Sequence, residues 1–141
     1  MNYYFDTSAL IKNYIDESGS EFVSNLLDQS DIVFVSEITL IEGFSTLKRI
    51  LLEKLITEED YVYAKAEIKE DFQYFTIIDI ETAILECERL IDEYQLKTLD
   101  SIQLSSALNI ENRLDGFVCC DKKLISAAEK EELKIINPLI V

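Results

Sequence analysis

The stretch Tyr3-Tyr4-Phe5-Asp6-Thr7-Ser8 decides the fold. Its consecutive large side chains leave no face for water, so residues 2 to 6 read as a short strand buried on both sides. Strands of that kind belong to parallel sheets covered by helices on two faces. Asp6 or Thr7 can cap a short helix through Ala9, Leu10, Ile11 and Tyr14. In such folds ligands gather outside the carboxyl ends of the strands, which is where Asp6 stands.

The same rhythm continues outward. Phe22, Val23, Leu26 and Leu27 space an amphipathic helix, and Ile32 to Val35 is a strand of β-branched and aromatic residues. Ser36 is placed to cap a long helix with a stripe of Leu40, Ile41, Phe44, Leu47 and Leu51. Thr57 and Asp60 form a capping box for a helix towards Phe72. A third strand is expected over Phe75 to Ile78, then a helix over Glu81 to Tyr94 with Ile84, Leu85, Leu90 and Ile91 inward. Thr98 is expected to cap a helix running to Glu111. Gly116 to Cys119 reads as a fourth strand, Asp121 as the cap of a helix through Leu124, Ile125 and Ala128, and Leu133 to Ile136 as a final strand. Alternating strands and helices give an α/β fold on a parallel sheet.

At 141 residues and 48% hydrophobic, the chain suits one domain spanning residues 1–141 with an apolar core. With 3 glycines and 1 proline it has no linker or low-complexity tract, and charges interrupt every run that could span a membrane. No basic-then-apolar leader opens the sequence. The 3 cysteines, Cys87, Cys119 and Cys120, lack the paired spacing of a zinc site, and a reduced, cytoplasmic setting is the expectation. A net charge of −15 argues against holding nucleic acid by broad electrostatic attraction. A phosphate substrate would then need cations and local basic residues such as Lys12, Lys48, Arg49, Lys122 and Lys123.

The sequence contains no histidine. A site built from Asp6, Glu42, Asp100 and Asp121 would be made of carboxylates, which on converging must be neutralised by a cation or by protons. Asp100 shares its helical side with Leu104, Ala107 and Leu108, where a carboxylate is costly without a charged or hydrogen-bonding partner. Glu42 precedes Gly43, which costs about 1 kcal/mol relative to Ala inside a helix and suggests close approach of another element. Ser8 can hydrogen-bond an acid of the cluster or a water. Each acid taken alone also has a plain reading, Asp6 and Asp121 as caps and Glu42 as an exposed helical residue. Oxygen-only ligands suit a hard cation, Mg²⁺ or Mn²⁺, rather than zinc, and such a cation activates water for attack on phosphorus.

Four segments together resemble a PIN domain, and more closely a VapC-type toxin of a toxin–antitoxin pair. They are Tyr-Phe-Asp-Thr-Ser-Ala-Leu-Ile, Ser-Glu-Ile-Thr-Leu-Ile-Glu-Gly, Leu-Lys-Thr-Leu-Asp-Ser-Ile-Gln-Leu-Ser-Ser-Ala and Gly-Phe-Val-Cys-Cys-Asp-Lys-Lys-Leu. The resemblance implies a three-layer α/β/α sandwich around a central parallel sheet. It further implies a Mg²⁺-dependent endoribonuclease, usually a homodimer, blocked by a cognate antitoxin laid across its groove. Carried over by position, Asp6 and Asp100 would be the principal metal ligands, Glu42 and Asp121 would complete the cluster, and Ser8 would support the first acid. Many relatives place Thr or Ser where this chain has Cys119, and a thiol is the weaker hydrogen-bond partner.

Two other readings stay open on the residues. A haloacid-dehalogenase-like phosphatase would use Asp6 as a nucleophile, but such enzymes usually carry a second acid where Ser8 stands here. A catalytically inert binding module would keep the acids without the geometry.

Overall fold

The computed structural model describes residues 1–140. Strand β1 (Asn2–Phe5) is the middle of a parallel sheet. On one side of it lie β2 (Ile32–Ser36) and β3 (Thr76–Ile78), on the other β4 (Gly116–Val118) and β5 (Ile135–Ile136). The strand order is β3-β2-β1-β4-β5 and every pairing is parallel. In register, Tyr4 stands beside Phe34 on one side and Phe117 on the other. The chain builds outward from β1 to β3, then returns to lay β4 against β1. The crevice between the ends of β1 and β4 is therefore the point where the winding reverses, the usual ligand position in such sheets.

Side chains of successive strand residues point to opposite faces, and the two cores follow that alternation. Tyr3, Phe5, Val35 and Val118 join one core, with Ala9, Leu10, Val23, Leu47, Ala64 and Ile68. These come from α1 (Thr7–Leu10), α2 (Ser20–Gln29), α3 (Thr39–Leu52) and α4 (Glu58–Asp71). Tyr4, Phe34, Phe117 and Cys119 join the other, with Leu90, Leu104, Leu124 and Ala128. That layer is α6 (Cys87–Tyr94), α7 (Thr98–Leu108) and α8 (Lys122–Lys130), preceded by the short α5 (Ile80–Ala83). The result is the expected three-layer sandwich. Full burial of Phe5 and Phe117 contributes about 1.5–3 kcal/mol each, which fixes β1 and β4 firmly behind the crevice. The Tyr4 and Phe117 rings stack with centroids 5.5 Å apart.

Local signals placed most boundaries within a residue or two, and Thr57 and Asp60 do form a capping box. Several expectations need correction. The helix expected over Glu81 to Tyr94 is broken into α5, a 3-10 turn over Ile84–Glu86, and α6. The tighter winding rolls the face, so Ala83, Cys87 and Leu90 turn inward while Ile84, Leu85 and Ile91 are exposed. On α3, Ile41 is 68% exposed and drops out of the expected stripe; Leu47 is buried, Leu40 and Phe44 pack partly buried against the core, and Gly43 and Ile50 join the inward line. Ser36 ends β2, with its Oγ accepting from the Ile38 amide, and α3 begins at Thr39. Thr98 is the first residue of α7 rather than its cap, and that helix stops at Leu108 before a separate 3-10 turn, Glu111–Arg113. β5 is shorter than Leu133 to Ile136. At the sheet edge β3 leaves Thr76 and Ile77 exposed, so cover on both sides fails there.

Candidate active site

Each acid is delivered by a different part of the frame. Asp6 directly follows β1, and its amide still bonds the Val118 carbonyl at 2.9 Å, locking it to β4. Its side chain caps α1 by accepting from the Ser8 amide at 3.3 Å. Glu42 lies in the first turn of α3, just beyond β2, and Asp100 in the first turn of α7. Asp121 follows β4 and caps α8 by accepting from the Leu124 amide at 2.9 Å. Asp6 and Asp121 are thus caps, as a plain reading expected, and their positions also bring them to the crevice.

All four line one groove of about 270 Å³, together with Ser8 and Arg49. Asp6 is at its base, 5% exposed; Glu42 and Asp100 are partly buried and Asp121 sits at the open rim. Burial pushes the Asp6 carboxyl up to about 6; the Ser8 hydrogen bond opposes this, the Glu42 charge adds to it, Cys119 opposes it and Asp100 adds again. Asp100 is likewise pushed up, by burial first and then by Asp121 and Glu42, against the pull of Lys97 and Lys123. Mutual repulsion of this kind means the acids already share one electrostatic environment.

Asp6 and Glu42 are held by several donors. On Asp6, Oδ2 accepts from Ser8 Oγ at 2.6 Å and from the Cys119 thiol at 3.5 Å, and among the described residues no donor reaches Oδ1. The thiol therefore serves Asp6, and reaches only the backbone oxygen of Asp121, at 3.8 Å. Glu42 Oε1 accepts from Thr7 Oγ1 at 3.0 Å and from Gln103 Nε2 at 2.7 Å. Gln103 Nε2 also lies 3.1 Å from Thr7 Oγ1 and 3.0 Å from Thr39 Oγ1, and its Oε1 accepts from Tyr4 at 2.6 Å.

Thr7, Thr39 and Gln103 were not anticipated from the sequence. The available signal was Gln103 itself, a long polar side chain one turn after Asp100 among apolar and small residues. Of the basic residues expected near a phosphate, Arg49 lines the groove. Lys12 is buried in an ion pair with Glu17 at 2.9 Å, and Lys48 lies over the Tyr61 ring.

Among the described residues, no three His, Cys, Asp or Glu side chains are gathered into a ready cage for an ion. The donor set still fits a hydrated hard cation. Mg²⁺ keeps several waters and takes one or two protein carboxylates, and Asp6 Oδ1 is free of protein donors. The absence of imidazole disfavours zinc.

The family model described as PIN domain matches residues 3–130, and the chain belongs to the PIN domain family. No curated protein matches it. Among solved structures it is similar to a chain of a toxin–antitoxin complex from Klebsiella pneumoniae, at 20% identity and TM-score 0.68, covering 96% of this chain and 97% of that one. A protein of Pyrobaculum aerophilum is 17% identical with TM-score 0.71, over 98% and 90% of the two chains. The VapC20 toxin of Mycobacterium tuberculosis, described as cleaving the sarcin-ricin loop, is 14% identical with TM-score 0.64, over 89% and 94%. At such identities the likeness is one of fold. Among the described residues, no helix is long and apolar enough to cross a membrane.

Proposed function

We propose that this chain is a divalent-cation-dependent endoribonuclease of the VapC toxin kind. The observation that supports it most is the meeting of Asp6, Glu42, Asp100 and Asp121 in one groove at the reversal point of a PIN-family sheet. Asp6 and Asp100 are the principal ligands for Mg²⁺ or Mn²⁺, and Glu42 and Asp121 complete the cluster. When bound, the ion neutralises the phosphate and acidifies water for in-line attack on phosphorus.

The remaining work falls to the chain's own residues. Ser8 and the Cys119 thiol fix Asp6 Oδ2, which leaves Oδ1 without a protein donor and open to a cation. Glu42 and Asp121, closer to solvent, orient the attacking water and receive its proton, since no histidine is present. Arg49, ion-paired with Glu53 at 3.2 Å on its own helix, lines the groove wall and offsets part of the surrounding negative charge.

The regulatory partner in this reading is an antitoxin protein whose Arg or Lys enters the acidic groove and competes with the cation. The working assembly is a cytoplasmic homodimer. The test is incubation of the purified protein with total RNA and Mg²⁺, alongside Asp6→Asn, Asp100→Asn and an EDTA control. Cleavage by the unaltered protein alone, abolished by EDTA, supports the reading; equal cleavage by all three proteins overturns it.

The lack of a three-ligand cage favours one rival, a binding module with an inert groove. Calorimetry with Mn²⁺ separates the two, because the inert module takes up no metal at millimolar concentration. Family membership leaves the phosphatase reading without support.

A further inference from the structure

The buried polar chain behind the groove has no counterpart in the chemistry described so far. Gln103 is fully buried, as are Tyr4 and Thr39, and Thr7 is nearly so. A buried amide of this size is costly unless its groups are all bonded. Here they are: Tyr4 donates to Oε1, and Nε2 faces Glu42 Oε1, Thr7 Oγ1 and Thr39 Oγ1 within 3.1 Å. The orientation of the amide is forced. A carboxylate requires a donor, so Nε2 must face Glu42, and the Tyr4 hydroxyl then meets an acceptor.

Gln103 follows Asp100 by one turn of α7, while Glu42 rides on α3. The 2.7 Å bond between Gln103 and Glu42 therefore joins the two helices that carry separate acids of the site. Thr7 adds a second donor to the same Glu42 oxygen from the turn that carries Asp6. Both donors fall on Oε1, and among the described residues none reaches Oε2. A carboxylate anchored by one oxygen presents the other in a fixed direction.

From this geometry we propose that Gln103 is a positioning residue. Backed by Tyr4, it anchors Glu42 Oε1 and sets the distance between the Glu42 and Asp100 helices, so that Glu42 Oε2 addresses the groove. The inference rests on the nuclease reading for its consequence, but the bond itself can be tested without metal or RNA. Partners of this kind behind metal-binding carboxylates typically change affinity or activity by about 10- to 100-fold when removed.

The experiment compares the unaltered protein with Gln103→Met, Glu42→Ala, the double variant and Tyr4→Phe. The first readout is the side-chain amide of Gln103 in ¹H–¹⁵N spectra of the metal-free protein. Two well-separated, slowly exchanging protons that move on Glu42→Ala are expected; a solvent-like amide overturns the proposal. The second readout pairs Mn²⁺ calorimetry with RNA cleavage. Gln103→Met is expected to lower kcat and Mn²⁺ affinity by about tenfold or more with KM little changed, and to cost nothing further in Mn²⁺ affinity once Glu42 is already Ala, which removes the acceptor. Additive losses in the double variant, or unaltered values in Gln103→Met, overturn the proposal.

Tyr4→Phe keeps the ring packing and decides the matter if Gln103→Met does not fold. A several-fold loss in kcat supports the anchor and an unaltered rate refutes it. If the unaltered protein binds no Mn²⁺ and cuts no RNA while the amide signature holds, the nuclease reading falls and the Gln103–Glu42 bond stands.

Discussion

Replacing Asp6 by Asn should stabilise the metal-free protein at neutral pH, by an amount that grows as pH rises. The Asp6 carboxyl moves from 3.8 when unfolded to about 6 in the fold, because burial disfavours its charge. At about 1.36 kcal/mol per pH unit, that displacement corresponds to about 3 kcal/mol. The group is raised, so its contribution to stability is whole below the unfolded value and is lost as pH rises through the folded one. Most of the loss visible without general acid unfolding, about 2 kcal/mol, falls between about pH 4.5 and 7.5. Asn cannot ionise, keeps the oxygen that accepts from Ser8, and caps a helix as well as Asp does. Urea unfolding of both proteins in EDTA across that range measures the effect. The stability difference in favour of Asp6→Asn should widen by about 2 kcal/mol from the acidic to the neutral end. A constant difference would refute the reasoning, because it would mean Asp6 ionises in the fold as freely as in water. Adding Mn²⁺ at neutral pH should restore the unaltered protein selectively, since a ligand that binds only the folded state stabilises it.

Other outcomes follow from single contacts. A Cβ on Gly116 would lie 2.6 Å from the Ile136 Cδ1 tip, which can swing aside, and 3.1 Å from the Tyr3 ring, so Gly116→Ala should destabilise by about 1 kcal/mol, and Ile136→Val in the same chain should recover part of it in thermal unfolding. Thr57→Ala removes the capping box of α4 and should cost about 1 kcal/mol in urea unfolding while leaving metal affinity unaltered. At Asp121, Ala should lose both the α8 cap, about 1 kcal/mol, and RNA cleavage; Asn should keep the cap and lose only cleavage. Comparing unfolding with a nuclease assay separates the two roles of that residue.

The central strand, the parallel sheet and the capping box were legible because their signals are local. Tyr3-Tyr4-Phe5 buries both faces of β1 whatever packs against them, and Thr57 with Asp60 closes a turn within its own segment. Glu42-Gly43 was legible for a related reason. A glycine that weakens a helix implies a close neighbour, and a Cβ at Gly43 would indeed lie 3.0 Å from Ile68 Cδ1. Helix faces were less secure where the winding changed. Spacing at the α-helical period turned Ile84 and Leu85 inward, whereas a 3-10 turn carries them out to solvent.

By itself the sequence determined the class of fold, the set of carboxylates available and the exclusion of imidazole chemistry, since each depends on residue type and short-range pattern. Tertiary structure alone decided which acid is buried at the base of the groove, that the Cys119 thiol serves Asp6, that Lys12 is taken up by Glu17, and that Gln103 grips Glu42. The Gln103–Glu42 partners lie 61 residues apart and the Cys119–Asp6 partners 113 apart. Burial and hydrogen bonding at such separations are properties of the packed chain, set by where the strands cross over, and no local pattern carries them.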